Sequence, residues 1–284
     1  GLGDVYNRLG LMRSSDEDAR RCLEENRTFT RDVGAGEGAR RRDLTLERLE
    51  ALLALHEEAL AAGDARVAKR ARKADVTRHG DAVVKESVPL GWLGRAKDRL
   101  APRRHDAGNR NAYRLMLEGV ATAKPLAWLR RAGRVFTLVE DLSSLERLDH
   151  RVRSLYAEGA RDEQARFRDA VADWLGRLHA DGIYHGDLKG ANVLVRRTEG
   201  GFELPVIDTD RMRFTPRPVD DRRREKNLAQ LAASLPVSVT RTERLRWYRR
   251  YAASAPTRRT ERQVAAEVAR QVALKIRVVH DPIE

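Results

Sequence analysis

Tyr184–Val195 reads YHGDLKGANVLV, and Leu204–Arg211 reads LPVIDTDR. One short loop carries Asp187, Lys189 and Asn192. Sixteen residues beyond Asn192 a second carboxylate, Asp208, ends an apolar run. This layout is the one that phosphoryl transfer needs. A carboxylate accepts the proton of an attacking hydroxyl, a lysine meets the migrating charge, and an amide and a second carboxylate hold magnesium on the ATP phosphates. Asp187 is therefore the candidate base, and Lys189, two residues on, can reach the γ-phosphate as a point charge. Asn192 and Asp208 are the candidate Mg²⁺ ligands, since Mg²⁺ takes oxygen donors and usually only one or two carboxylates. Asp210 joins the metal shell, orients the acceptor, or bonds Arg211 or Arg213; the residues leave these open. His179 and His185 read as structural, because this chemistry needs no imidazole.

Outward from the loop, the Trp-containing pattern Phe167–Ala180 predicts a helix before it, and Val193–Val195 a strand after it. Further back, Leu44–Ala62 places leucines at helical spacing and ends at Gly63. Strand-like pieces follow at Val67–Lys69, Asp75–Arg78 and Ala82–Glu86, the last two joined by His79-Gly80-Asp81. Leu90–Leu100 has a weaker helical pattern and Asn109–Glu118 a firmer one closed by Gly119. Lys124–Leu129 and Arg134–Val139 predict an antiparallel pair. The glycine cluster Gly34–Gly38 lies well before these strands and reads as a hairpin turn, not a nucleotide loop.

Lys85 sits in AVVKE, and period-2 alternation puts Val83 on its face of the strand. That face offers an apolar wall for adenine and an ammonium for the phosphates. Glu140–Leu142 then reads as the hinge presenting backbone groups to adenine. The expected fold is α+β: a bilobal, protein-kinase-like chain with a small β-rich N-lobe over residues 1–142 and a helical C-lobe over 143–284. The phosphate-covering segment falls at Lys69–Val76, KRARKADV, which has no glycine. Lys69, Arg72 and Lys73 are expected to do there with side chains what backbone amides do elsewhere.

The chain has 284 residues, enough for two lobes, and 41% hydrophobic residues, ordinary for a folded protein. Its single cysteine, Cys22, excludes an intrachain disulfide and a Cys-based zinc site, and reads as a small buried hydrophobe. The formal net charge of +13 points to anionic partners. Arg40–Arg42 and Arg222–Arg224 read as solvated faces. Nothing resembles the interleaved aromatics of single-strand binders, so nucleic acid is not expected as a partner. No window approaches the ~18 consecutive apolar residues of a membrane span, and the N-terminus lacks a signal-peptide core. The expectation is a cytoplasmic protein, peripheral on an anionic membrane face.

HGDLKGANVLV and VIDTDRMR resemble the lipopolysaccharide-core kinase family of bacteria, the heptose and Kdo kinases, a branch of the protein-kinase-like fold. The resemblance extends through DAVVKES, NRNAYRLMLEGVATAKPLA and RRREKNLAQLAASLPVSVTRTERLRWYRRY. It implies Asp187 as catalytic aspartate, Asn192 and Asp208 as metal ligands and Lys85 as the nucleotide lysine. It implies ATP as donor and a sugar hydroxyl of the lipopolysaccharide inner core as acceptor. The chain departs from the wider kinase pattern in three places. No glycine loop is present, no carboxylate lies near Gly108–Ala112 to pair with Lys85, and Gly186 stands before Asp187 where arginine is usual. No Ala-Pro-Glu motif follows Asp208, which argues against a protein substrate. The competing readings are a small-molecule phosphotransferase or atypical protein kinase, and a catalytically dead scaffold that binds nucleotide or membrane.

Overall fold

The computed structural model describes residues 16–71, 74–87 and 106–280, with 275–280 in backbone only. Arg72, Lys73, the Leu90–Leu100 stretch and the first fifteen residues lie outside the described residues. The chain divides into two compact units, Gly1–Ser144 and Leu145–Glu284.

The first unit is built on a seven-stranded antiparallel sheet in the order β1-β2-β6-β7-β5-β4-β3. Its strands are β1 (Phe29–Thr30), β2 (Glu37–Arg41), β3 (Val67–Ala71), β4 (Ala74–His79), β5 (Ala82–Ser87), β6 (Pro125–Arg131) and β7 (Arg134–Glu140). A short helix α1 (Asp16–Arg20) precedes them, α2 (Leu46–Ala62) interrupts them, and α3 (Ala107–Leu117) follows β5. The leucine spacing of α2 explains its seat. Leu49, Leu52 and Leu53 are buried against Ala82 and Val84 of β5, Ala127 and Leu129 of β6, and Phe136 and Leu138 of β7. Each such side chain contributes about 1.5–3 kcal/mol by leaving water. Thr45 caps the start by accepting from the Arg48 N–H at 3.1 Å. Gly63, at φ +64, takes the left-handed conformation that ends the helix.

The glycine cluster at 34–38 is a turn, as its position implied. Gly36 has φ +113, and a Cβ on Gly38 would run into the Trp128 carbonyl across the β2–β6 pair. Arg40, read from sequence as part of a solvated run, is instead buried. Its guanidinium bonds Asp32 and the Leu44 carbonyl, which closes the β1–β2 turn onto the start of α2. Cys22 is buried as expected. Burial pushes its thiol up to about 12, so it is unreactive.

A buried polar chain crosses the α2–sheet core. Glu86 on β5 accepts from His56 Nε2 at 3.1 Å and takes two bonds from Arg134, at 2.7 and 2.5 Å. His56 Nδ1 hydrogen-bonds the Thr77 hydroxyl at 2.7 Å, and that hydroxyl hydrogen-bonds His79 Nε2 at 2.7 Å. Every donor meets an acceptor, so these groups are buried without an orphan. Burial works to raise the Glu86 carboxyl. The His56 bond and the Arg134 guanidinium outweigh it and hold the carboxyl at about 2.

The second unit is mainly helical: α4 (Leu148–Glu158), α5 (Arg161–Ala180), α6 (Asp221–Ala232), α7 (Arg241–Ser254) and α8 (Glu261–His280). Between α5 and α6 lie β9 (Ile183–Tyr184), β10 (Leu194–Thr198), β11 (Gly201–Glu203) and β12 (Arg213–Phe214). β10 sits between β11 and the short β8 (Glu146–Arg147), and β12 pairs with β9. α5 crosses α7 closely, because Gly176 carries no Cβ to meet Ser254 at 2.8 Å. Arg224 also departs from the solvated reading. It is buried, and donates to the carbonyls of Val219, Ala255 and Pro256, which ties the start of α6 to the α7–α8 connection. Within this unit lies a cavity of about 750 Å³ with apolar walls, including Leu155, Phe167, Val171, Leu231, Val264 and Val268.

The Glu86 cluster sets an acid limit on the first unit. Glu86 holds its proton less readily folded than unfolded, so its stabilisation is full above about pH 4.5 and is lost as pH falls toward 2. A shift from 4.5 to about 2 corresponds to about 3 kcal/mol. Glu86→Gln should cost about this much in urea unfolding at pH 7, and the gap to the parent should close between pH 5 and 2. A gap that stays constant over that range would show the carboxylate charge to be immaterial.

Candidate active site

Two backbone arcs make the candidate catalytic centre of the second unit. The first runs from β9 through His185–Asn192, ending in a 3₁₀ turn at Gly190–Asn192, into β10. The second runs through Val206–Asp208 into a 3₁₀ turn at Thr209–Arg211. They are laced together by Leu194 N–H to the Pro205 carbonyl at 2.8 Å and Ile207 N–H to the Asn192 carbonyl at 3.0 Å. Asn192 is thereby held beside the residue that precedes Asp208.

His185 makes the second link. Its Nε2–H donates to the Ile207 carbonyl at 3.0 Å, and its Nδ1 accepts the Asp187 N–H at 3.1 Å. A carbonyl only accepts and a backbone N–H only donates, so the ring must be the neutral Nε2–H tautomer. Burial lowers its pKa, which favours the same form. The reading of His185 as structural fits this geometry: one imidazole spaces the loop of Asp187 from the turn of Asp208.

Within the loop, Asn192 Nδ2 donates to the Asp187 carbonyl at 2.8 Å, which leaves its Oδ1 as the donor oxygen of the side chain. Lys189 Nζ lies 2.8 Å from Asp187 Oδ2; the lysine is 55% exposed and the aspartate 22%. Asp208 is exposed and has φ +59 and ψ +53. A non-glycine residue in this left-handed region carries strain, and such strain persists where a side chain must be aimed.

α6 holds the loop from beneath. Gln230 brackets Asp187: its Nε2 donates to the Gly186 carbonyl at 3.2 Å, and its Oε1 accepts the Leu188 N–H at 3.2 Å. Asn227 Nδ2 donates to the His185 carbonyl at 2.6 Å. Ser234 Oγ accepts the Gly190 N–H at 2.8 Å. Asn227 Oδ1 in turn accepts from His179 Nε2 at 3.1 Å, whose Nδ1 accepts the Tyr251 hydroxyl at 2.8 Å. Burial lowers His179 to about 4, so it too is neutral. Sequence reasoning passed over Asn227, Gln230 and Ser234. Their signal was present, since polar residues at positions i, i+3 and i+7 interrupt an otherwise apolar stretch, NLAQLAAS.

The glycine where kinases usually carry arginine also has a cause. A Cβ on Gly186 would lie 2.6 Å from the Arg211 carbonyl oxygen, so only glycine lets the two arcs touch. Arg211 and Arg213 make no ion pair among the described residues, so the bond to them that the sequence allowed for Asp210 does not form.

The remaining predicted site residues belong to the first unit. On β5, Val83 and Lys85 are half-buried on the face opposite Ala82, Val84 and Glu86, as alternation implied. Lys85 lies opposite Val76 and Thr137 in the ladder. Lys69 is exposed on the edge strand β3. In the hinge stretch, the Glu140 N–H donates to the Lys124 carbonyl and the Asp141 N–H to the Asp81 carbonyl, while the Leu142 side chain is buried.

The model of the lipopolysaccharide kinase (Kdo/WaaP) family matches residues 99–253, over half of the chain. Asp187, Asn192 and Asp208 fall inside that match, and Lys85 precedes it. Among solved structures the chain is similar to WaaP in complex with acyl carrier protein, with 24% identity and a TM-score of 0.52 over 79% of this chain and 92% of that one. It is also similar to the bifunctional kinase-methyltransferase WbdD, with 17% identity and a TM-score of 0.39 over 71% of this chain and 48% of that one. A third is the PknI kinase domain of Mycobacterium tuberculosis, with 16% identity and a TM-score of 0.36 over 72% and 94%. No curated protein matches the chain. The likeness to WaaP shows the protein-kinase-like fold.

The α6 contacts generate a kinetic expectation. Gln230→Leu keeps the volume but removes both bonds that bracket Asp187. Displacing a reacting group by about 1 Å costs on the order of 10²-fold in rate. Turnover should therefore fall about 10- to 100-fold, while the KM for ATP changes less than about twofold. Initial-rate kinetics on folded variant would measure both; an unchanged kcat would mean that α6 does not position the loop.

Proposed function

The chain belongs to the lipopolysaccharide kinase (Kdo/WaaP) family, and we propose from this that it transfers the γ-phosphoryl group of ATP to a heptose or Kdo hydroxyl of the lipopolysaccharide inner core. It is an ATP-dependent phosphotransferase with a sugar hydroxyl as acceptor. The observation that carries the residue assignments is the laced pair of arcs that brings Asp187, Asn192 and Asp208 onto one imidazole-bridged frame.

In this reading Asp187 accepts the proton of the sugar hydroxyl as its oxygen attacks phosphorus. Lys189, paired with Asp187 before substrate binds, turns to the γ-phosphate as negative charge gathers there. Asn192 and Asp208 fit Mg²⁺. The Asn192 amide nitrogen is committed to the loop, which frees Oδ1, and Asp208 is exposed and aimed by its left-handed backbone. Two hard oxygen donors suit an ion that keeps its other positions for phosphate and water. When bound, Mg²⁺ neutralises charge on the β- and γ-phosphate oxygens. Lys85 is assigned to the α- and β-phosphates, Val83 to the adenine wall, and Lys69 with Arg72 and Lys73 to the phosphate-covering segment. Of the hinge, Glu140 and Asp141 spend their N–H groups inside the sheet, so Leu142 is the residue assigned to meet adenine.

Transfer of labelled phosphate from ATP to purified lipopolysaccharide core, with aminoglycosides and a protein extract in parallel, separates this reading from the small-molecule and protein-kinase readings. Asp187→Asn should lower transfer by at least about 10²-fold, the usual worth of a general base, with ATP binding retained. Asp208→Ala should abolish the Mg²⁺ dependence of ATP binding in calorimetry. An Asp187→Asn enzyme keeping more than about a tenth of the rate would remove Asp187 as base. ATP binding insensitive to Mg²⁺ in both proteins would favour the scaffold.

Among the described residues no helix is long and apolar enough to cross a membrane. With a net charge of +13, we read the protein as peripheral on anionic membrane, where each basic residue near the surface contributes about 1 kcal/mol. The WaaP neighbour, solved with acyl carrier protein, suggests a second partner. The apolar cavity of the second unit has room for an alkyl chain, so an acylated carrier protein is that second reading. Salt-sensitive co-sedimentation with anionic but not neutral vesicles is the expected outcome for the first. Retention on an acylated, but not an unacylated, carrier protein is expected for the second. Binding to neither would leave the charge as a solubility feature.

A further inference from the structure

The turn after Asp208 sets two arginines on backbone that packs against the Asp187 loop. Arg211 ends the 3₁₀ turn, Met212 is extended at φ −68 and ψ 152 with its side chain buried, and Arg213 starts β12. Burial of Met212 turns its two neighbours the other way, and both are exposed. Residues two apart in extended chain stand about 6–7 Å apart, a separation from which two long side chains can close on one anion.

Their footing is rigid. The Arg211 backbone packs on Gly186, the residue before Asp187, where no Cβ would fit. Arg213 pairs in register with Tyr184, three residues before Asp187. Met212 N–H donates to the Thr209 carbonyl at 3.0 Å, and Thr215 N–H to the Gly182 carbonyl at 2.9 Å. Both arginines therefore stand on the N-terminal side of the Asp187 loop. The side of the loop C-terminal to Asp187 holds Lys189 and Asn192.

Neither has a carboxylate partner among the described residues. Several other arginines of the unit hold carboxylates: Arg196 with Glu203, Arg223 with Asp220, Arg249 with Glu261, Arg250 with Asp173. Arg211 and Arg213 share a turn with Asp208 and Asp210, yet pair with neither, and Asp187 is taken by Lys189. Two guanidinium groups with no ion pair among the described residues, carried on a fixed backbone, can close as a fork on the oxygens of a carboxylate or phosphate.

We propose that Arg211 and Arg213 form an anion-binding site beside Asp187, which grips a carboxylate or phosphate carried by the acceptor sugar next to the hydroxyl that is phosphorylated. This rests on the sugar-kinase reading above and adds its selectivity: an acidic sugar is held in register for attack, while a neutral one lacks the grip.

Two experiments test it. In the first, Arg211→Gln and Arg213→Gln, singly and together, are assayed with lipopolysaccharide core as acceptor, and Arg161→Gln serves as control. Arg161 begins α5, whose 20 residues place it about 30 Å from the end that leads into the loop. The double variant should raise the acceptor KM at least about tenfold, the scale of one charge-assisted contact, with the ATP KM changed less than about twofold. An equal rise in both KM values would assign the arginines to ATP, and no rise in either would make them a solvated face; each result overturns the proposal. The second needs no acceptor. The wild-type protein is labelled with phenylglyoxal with and without inorganic phosphate, and modified arginines are mapped by mass spectrometry. Protection of Arg211 and Arg213, with Arg161 labelled equally in both, supports the site even if lipopolysaccharide core fails as acceptor and the sugar-kinase reading falls. Equal labelling of all three overturns it.

Discussion

The neutral ring of His185 is the constraint on which the catalytic frame depends. It accepts from the Asp187 backbone on one side and donates to the carbonyl before Asp208 on the other. Asp187 and Asp208 sit on separate arcs of chain, and one imidazole spans the gap between those arcs. A protonated ring would present a second N–H to the Asp187 N–H, so the bridge works only with a buried, neutral histidine. Gly186 serves the same closeness, because a side chain there would push the Arg211 backbone away.

The frame is stiffened from below by α6. Asn227, Gln230 and Ser234 spend their polar groups on the loop's own backbone, and His179 and Tyr251 extend the chain of bonds toward α7. Each bond is modest in net worth, about 1 kcal/mol. The larger effect is that a buried donor or acceptor cannot leave its partner without losing the bond outright, so the loop has one low-energy arrangement. The first unit uses the same device: Glu86, with His56 and Arg134, fixes the register of the strand that carries Lys85.

Arginine has three separate uses in this chain. Arg40 and Arg224 are buried and bond carbonyls to close turns. Many others pair with carboxylates on helix surfaces. Among the described residues Arg211 and Arg213 do neither. The high positive charge is thus not one property, and only the unpaired part is available to anionic ligands.

Local chemistry in the sequence determined much of this molecule. Asp187, Lys189, Asn192 and Asp208 stood out as candidates because phosphoryl transfer demands such groups within a short span. The helix read over Leu44–Ala62 was legible because leucine spacing and a terminal glycine are local signals, and the β4–β5 and β6–β7 pairs because strand patterning is too; the helix start at Leu46, capped by Thr45, came from the structure. The same spacing could not tell that Arg40 and Arg224 are buried, because burial depends on which carbonyls distant segments bring near. It could not reveal Gln230, since its partners lie more than forty residues away, or give Gly186 its reason, which is the backbone of Arg211. Residue type and period are carried by the chain itself. Which polar groups face one another is decided only when the arcs are packed, because a hydrogen bond reads distance in space and not along the sequence.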